Sequence, residues 1–392
     1  MRQWLGTALA ILIVFPLQAL SDAPLSPLNG SSQTAPPPGD PLSQGLWWLY
    51  QLQYERARQL FDGYCRTYPQ DPAGYFYKTA TDWWQLAQQF DYKLPEIERR
   101  LEDDYQDTAR VSRAYLETAR TPAEKGYACL YWGGAEGLKG RWQVTQKQWV
   151  KAYFSGKHGA SLLKRSLAYD PTLYDAYLGL GIYDYYTDTF GGLVGALSAL
   201  LIHGDKTRGM RELQLAIDKS RHARVEAMFF LMEIYTEENQ SEQALSLAQA
   251  LYQEFPASPA MHLAKIMVLY EMKRWGPMTQ EAKDYLKKSE TETPWYQRQG
   301  VQPALYCIGV GLLWGKNDLD GALRCFNEIL AQGMDSSRWV TFALLRRGQI
   351  FDLRGQREEA LQDYRQVGSR PNFWGSHPEA RRYLANAFKS GD

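Results

Sequence analysis

Cysteine, histidine and net charge are all scarce in this chain. Four cysteines (Cys65, Cys129, Cys307, Cys325) in 392 residues are too few to form a disulfide framework. No Cys-x-x-Cys occurs and the five histidines are scattered, so zinc spacing is absent and no metal or other cofactor is expected. Lys and Arg number 44 against 44 Asp and Glu; a net charge of zero argues against a nucleic-acid groove or a polybasic membrane arm. Enzyme signatures are missing as well. Gly179-Leu180-Gly181 is followed by Asp184 where a dinucleotide loop needs glycine, and Gly311 to Lys316 has the wrong spacing for a phosphate loop. There is no Gly-x-Ser-x-Gly elbow, HExxH pair or calcium loop. The acidic run Glu102-Asp103-Asp104 reads as a solvated helix face. No catalytic residue and no enzyme is expected.

What is present is apolar and aromatic. Hydrophobic residues make up 45% and charged residues 22%, which fits a folded chain, not a disordered one. Aromatic residues reach 14%, suited to helix-on-helix packing and to an adhesive groove. The N-terminal half holds Trp83, Trp84, Trp132, Trp142 and Trp149, read mostly as core.

The ends of the chain read differently from its middle. Arg2 precedes an uncharged stretch from Trp4 to Phe15, and small residues follow at Ala19, Ser21 and Ala23. Twelve residues span only about 18 Å as a helix, well short of a ~30 Å hydrocarbon core. Residues 1–23 are therefore expected to be an export signal, cleaved after Ser21 or Ala23, with an uncleaved signal anchor as the alternative. Residues 24–45, rich in Pro, Ser, Gly and Gln, read as a flexible linker. Folded sequence is expected from residue 46 to 392 as one continuous body.

That body repeats. Ala57, Phe61 and Tyr64 are spaced by four and three, which puts them on one helical face, and Pro69 closes the helix. The pattern returns at Gly159, Leu163 and Ser166 with Pro171, and at Ala244, Ala248 and Leu251 with Pro256. Without the proline it recurs at Gly209, Leu213, Ala216, at Ala322, Phe326, Ile329, and at Ala360, Tyr364, Val367. A weaker copy is centred on Met278, Ala282 and Tyr285. Gly348 and Phe351 precede Ala360 by twelve and nine residues, as Met232 and Tyr235 precede Ala244. A small residue where two helices cross lets the backbones approach, and an aromatic fills the gap one turn on. Polar turns between the arms fall at Glu237–Ser241, Gly315–Asp320 and Arg354–Arg357. Cys307 and Cys325 lie on opposite arms of one such hairpin, leaving a bridge or two buried thiols as the alternatives.

These residues resemble the tetratricopeptide repeat superfamily over about residues 46–372. The resemblance implies an all-α fold: a right-handed superhelical solenoid of about seven helix–turn–helix units with a C-terminal capping helix. Two units depart from the period, one lengthened between Gly74 and Trp149, the other carrying an insert between Asp188 and Asp205. The segment Asp175–Glu226 is similar to a group of bacterial exported or membrane-associated repeat proteins. It is more faintly similar to a eukaryotic tetratricopeptide family associated with the mitochondrial outer membrane and with clearance of lipid-droplet-linked inclusions. The likeness implies a fold and an adaptor role only.

Within the insert, eight of the ten residues from Leu193 to Ile202 are apolar. Burying Leu193, Leu197, Leu200, Leu201 and Ile202 would contribute roughly 8–15 kcal/mol. The first reading is packing into the solenoid's own groove; a partner or ligand and a membrane interface are the others. At about 15 Å the segment is too short to cross a bilayer. After it, Asp205 is expected to cap the next helix and Gly209 to be its crossing residue, in preference to a ligand-facing ionic cluster.

First arms line the concave surface in this architecture, so groove candidates are Tyr183, Asp184, Tyr186, Asp188, Leu197, Leu200 and Arg224. The expected function is a non-catalytic adaptor, exported to the periplasm or cell envelope, that binds a peptide or protein segment. The alternative is a small-ligand or lipid-binding accessory protein of a transport system, with the insert roofing an apolar cleft. A protein or peptide partner is expected and a small apolar ligand remains open. No nucleic acid is expected, and any membrane contact would not be transmembrane after signal removal.

Overall fold

A computed structural model describes residues 39–88, 94–191, 204–291, 296, 301–333 and 337–390. Among these residues the regular elements are all helical, so the chain is an all-α helical repeat. The predicted signal and most of the predicted linker lie outside the described residues. The linker was drawn too long, however, because helix α1 (Pro41–Tyr50) begins before residue 46. Asp40 caps it, its carboxylate accepting from the backbone N–H of Leu42 and of Ser43 at 3.0 Å each, and Pro41 occupies the first turn, where a missing N–H costs nothing.

The remaining elements pair as hairpins: α1 with α2 (Tyr54–Thr67), α3 (Pro72–Gln88) with α4 (Pro95–Thr118), α5 (Pro122–Thr145) with α6 (Trp149–Tyr169). Then come α7 (Ala176–Gly191) with α8 (Lys206–Lys219), and α9 (Arg224–Glu237) with α10 (Ser241–Glu254). They are followed by α11 (Pro259–Glu271) with α12 (Trp275–Thr291), α13 (Gln302–Val310) with α14 (Leu319–Ala331), and α15 (Arg338–Leu353) with α16 (Arg357–Gly368). Helix α17 (Ser376–Ala385) packs on the last pair.

Of the 21 signature positions read from the sequence, all but Tyr64 are buried, most of them fully. Tyr64 stays half-buried because its hydroxyl donates to Asp71 at 2.6 Å. The small residue of a first arm takes the ring of its second arm. A Cβ on Gly45 would meet the Phe61 ring at 2.3 Å, one on Gly309 would meet Phe326 at 2.7 Å, and one on Gly348 would meet Tyr364 at 2.5 Å.

The turns also repeat. Leu52, Lys147, Asn239, Lys273, Asn317 and Gly355 sit at φ of 52–72°, each the middle residue of a three-residue turn between two arms. The residue after it is Gln53, Gln148, Gln240 or Gln356 in four cases, with φ near −90°. In five turns that residue's N–H donates to the carbonyl five positions back, at 2.7–2.9 Å, as in Gln53 to Trp48 and Gln240 to Tyr235. This left-handed stop satisfies helix-end carbonyls that would otherwise have no partner. Between α13 and α14 the bond spans six residues, Asp318 to Leu312. A π-helical turn over Gly311–Gly315 has added one residue there.

Two expectations need correction. The described residues hold eight hairpins, not seven, because the stretch read as one lengthened unit contains α3, α4 and α5. The buried positions of α4 mix Leu101, Tyr105, Ala109 and Val111 with Asp104, Thr108 and Ser112, so polar residues interrupt its apolar signature. Two of these polar groups, Asp104 and Thr108, are satisfied by residues of α2 and α3. Arg58 reaches both Asp82 and Asp104 at 2.8 Å, Lys78 reaches Asp104 at 3.2 Å, and Arg100 reaches Asp82 at 2.6 Å. Thr108 and Thr79 hydroxyls meet at 3.0 Å. Asp104 is thus a buried ion-pair partner, not part of a solvated face.

The second correction concerns the single continuous body. The chain divides into two compact units, the first holding α1 to α10 as far as Phe255 and the second starting at Pro256. The first unit closes on itself. The Tyr50 ring meets those of Trp84 and Phe255 at 5.6 Å each, and Trp84 meets Phe229 at 5.5 Å. Arg221 pairs with Asp40 at 2.9 Å. Contacts between residues so far apart in sequence gather five hairpins into one core, which nearest-neighbour stacking alone does not do.

Candidate functional site

The predicted groove residues on α7 do not share a face. Tyr185 points into the core of the first unit among Leu213, Ala216, Leu231 and Ile234, and its hydroxyl donates to Glu238 at 2.8 Å. Tyr186 packs on the same cluster edge-on to Tyr185, ring centroids 5.2 Å apart. Tyr183 is half-buried beside Gly156 of α6, and Asp188 is exposed. Asp184 was expected in the groove and is instead buried, ion-paired with Arg208 of α8. Two carboxyls crowd there: burial, with the neighbouring Asp184, pushes Glu212 up to about 7. Asp184 Oδ1 and Glu212 Oε2 are both buried without a hydrogen-bond partner among the described residues.

The local frame around Asp184 is the expected one. Asp205 accepts from the Arg208 N–H at 2.9 Å and caps α8. Gly209 crosses α7 at Gly181; a Cβ on either would lie 2.7–2.8 Å from the other's carbonyl oxygen. Arg224 belongs elsewhere, because it opens α9 whereas Tyr185 reaches the far end of that helix. It pairs with Glu254 of α10 and donates to Met228 Sδ at 3.4 Å. Leu197 and Leu200 lie outside the described residues.

A constellation that the sequence did not single out joins first arms α3, α5 and α9. The Arg141 guanidinium lies between the rings of Trp83 and Phe230, 4.5 and 4.7 Å from their centroids. Its Nη1 donates to Glu226 at 3.0 Å, and the other oxygen of Glu226 accepts from Trp84 Nε1 at 3.1 Å. Arg141 Nη2 and Trp83 Nε1 are buried without an acceptor. Two donors aimed into an aromatic wall suit a carbonyl or carboxylate oxygen. No residue spacing announces this group, since its members come from three helices up to 147 residues apart in sequence.

In the second unit the aromatic residues of successive first arms touch. Tyr270 of α11 lies 6.3 Å from Tyr306 of α13, which lies 5.9 Å from Phe342 of α15. Phe342 stacks on Trp374 at 5.5 Å with 11° between the planes. Arg346 joins the row, its Nε donating to the Tyr306 hydroxyl at 3.3 Å and its Nη1 to Glu379 at 2.8 Å. Tyr306 is buried, whereas Tyr270, Phe342, Arg346 and Trp374 keep part of their surface in solvent. The same unit buries His262, whose ring nitrogens meet Tyr296 Oη at 3.0 Å and Glu281 at 3.3 Å. Glu281, bonded to His262 and Lys265, is held down to about 2. Among the described residues all four cysteines are free thiols, and burial pushes Cys307 up to about 12. Among them, too, no group of three His, Cys, Asp or Glu side chains is placed to hold a metal ion.

Residues 342–372, the hairpin in which Tyr364 sits on Gly348, match the family model of the tetratricopeptide repeat. That hairpin is a tetratricopeptide repeat. The backbone of the chain is similar to the apo form of RapI, with a TM-score of 0.48 and 13% identity, covering 88% of this chain and 98% of that one. It is also similar to a chain of the APC/C hetero-tetramer Cut9–Hcn1, with a TM-score of 0.40, 10% identity and coverage of 88% and 75%. A third is the tetratricopeptide domain of P58(IPK), with a TM-score of 0.25, 14% identity and coverage of 89% and 98%. No curated protein sequence is significantly similar to this chain.

Proposed function

We propose that this tetratricopeptide-repeat protein is a non-catalytic scaffold, exported to the bacterial cell envelope, that holds a peptide or protein segment against the first arms of its second unit. One observation carries the reading: part-exposed Tyr270 on first arm α11 and Phe342 on first arm α15, bridged by buried Tyr306 of α13, with Arg346 beside them and Trp374, from the turn before α17, stacked on Phe342. Aromatic rings and arginine give large contact area at small ordering cost, which is how a rigid surface gains affinity for an extended guest. The predicted groove residues of α7 serve this role less well, because Asp184 is buried in the first unit and Tyr186 packs on its core. Export rests on the Arg2–Ala23 leader alone.

A photocrosslinker placed at Phe342, and separately at exposed Glu328 on α14, tests the reading in cells. A discrete adduct at 342, absent at 328 and lost with Arg346→Ala, supports it. Equal labelling at both positions sinks it. Fractionation of the same cells tests export, and a cytoplasmic pool of full-length chain counts against it.

A second reading is favoured by the unpartnered donors of Arg141 and Trp83: a small ligand bearing a carbonyl or carboxylate, held in the first unit. Indole fluorescence titrated with benzoate would shift in the parent chain and not in Trp83→Phe. An unchanged spectrum removes this second reading and leaves the first standing.

A further inference from the structure

Zero net charge conceals a local asymmetry. Residues 137–169 contain no Asp or Glu and seven Lys or Arg: Lys139, Arg141, Lys147, Lys151, Lys157, Lys164 and Arg165. The middle of this stretch is the start of α6, and three large apolar side chains stand in water there. Trp149 is 54% exposed, Val150 71% and Phe154 62%, three of the four exposed large hydrophobic residues among those described. Trp149 is therefore not a core residue, as its neighbourhood in sequence had implied.

The outward face is held rigidly from behind. Ala152, Ser155 and Gly159 of α6 are buried against α5, where a Cβ on Gly140 would come within 3.3 Å of the Ala152 carbonyl and one on Gly133 within 3.0 Å of the Gly159 carbonyl. Around the apolar residues lie Lys147, Lys151 and Lys157, all exposed and, among the described residues, without an ion pair. Lys157 sits 5.9 Å from the centroid of the Tyr153 ring, itself edge-on to Phe154 at 5.4 Å. The neighbouring α7 supplies Asp184, which is spent on Arg208, and exposed Asp188.

We infer that the start of α6 is a peripheral membrane-docking surface for an anionic lipid bilayer, with Trp149, Val150 and Phe154 entering the interface and Lys147, Lys151 and Lys157 meeting phosphate headgroups. Tryptophan with lysine suits a boundary that is apolar on one side and negatively charged on the other. A nucleic acid would attract the lysines yet leave Val150 and Phe154 without a role. Among the described residues no helix is long and apolar enough to cross a membrane, so the contact is peripheral there.

Sedimentation of the full chain with phosphatidylcholine vesicles, with and without phosphatidylglycerol, tests this directly. Binding is expected to favour the anionic vesicles and to weaken with added salt. Each lysine should contribute about fivefold, so Lys147→Gln/Lys151→Gln/Lys157→Gln should remove about 100-fold of the anionic preference. Trp149→Ser/Val150→Ser/Phe154→Ser should weaken binding to both vesicle types while circular dichroism stays unchanged, because these side chains are exposed. The leader is common to parent and variants and cancels in the comparison. Variants that partition like the parent overturn the proposal. So does single-stranded RNA binding that the lysine variant alone loses while vesicle binding persists, which would assign a nucleic acid. A dimer in the parent that the apolar variant dissociates, with vesicle binding unchanged, assigns the face to a second copy and also overturns it. None of these readouts touches Phe342 or Arg346, so the peptide-holding reading stands or falls separately.

Discussion

Single buried groups set how this protein responds to acid. Glu212 holds its proton up to about 7 in the folded state, against an ordinary value of 4.5, because burial and the nearby Asp184 disfavour its charge. Burial does the same to Glu237, also raised to about 7. A carboxyl with a raised folded value stabilises the fold below its unfolded value and loses that contribution as pH rises to the folded one. Urea melts should therefore show stability falling between about pH 4.5 and 7, and Glu212→Gln should flatten part of that slope. An unchanged slope in the variant would remove Glu212 as a cause. Glu281, held near 2, acts oppositely and loses its contribution only in stronger acid. The glycine at the α7–α8 crossing has no slack. Gly209→Leu should destabilise by about 3 kcal/mol, read from the same melts, because a side chain would strike the Gly181 carbonyl and the Tyr185 N–H. Gly209 and Asp205 were legible in the sequence because capping and crossing depend on short, fixed offsets. The burial of Asp184 was not, since its partner Arg208 is 24 residues on and nothing local says which side of α7 faces it.

At the scale of elements, the inter-arm turns are the most uniform feature. Their middle residue needs a left-handed backbone, which costs a residue with a Cβ roughly 1–2 kcal/mol. Lys273, at φ 55°, is exposed, so Lys273→Gly should raise stability by about 1 kcal/mol, seen as a higher urea midpoint with an unchanged slope. A lower midpoint would mean that the lysine side chain does more than occupy the turn. The opposite outcome is expected in α2–α4. Arg58→Met leaves Asp82, fully buried, and Asp104, nearly so, short of a counter-charge, and should destabilise by about 3–5 kcal/mol. This network also explains which hairpin was illegible. Seven second arms announced themselves through apolar residues at offsets of four and three. The eighth, α4, breaks up its buried stripe with Asp104, Thr108 and Ser112, and the partners of Asp104 and Thr108 sit on α2 and α3.

The whole molecule is a repeat protein whose first unit folds back on itself through Tyr50, Trp84 and Phe255. That closure was invisible in the sequence, because ring contacts between residues 205 positions apart leave no periodic trace. It turns much of the aromatic richness of the N-terminal half inward, where it builds a core, and leaves the second unit's row at Tyr270, Phe342 and Trp374 as the accessible one. Hydrogen–deuterium exchange on the full chain, alone and with the partner recovered through Phe342, tests the scaffold reading most directly. Protection is expected along first arms 259–271, 302–315 and 338–353, with the second arms 319–331 and 357–368 unchanged. Protection confined to the second arms, or none in either set, would contradict it.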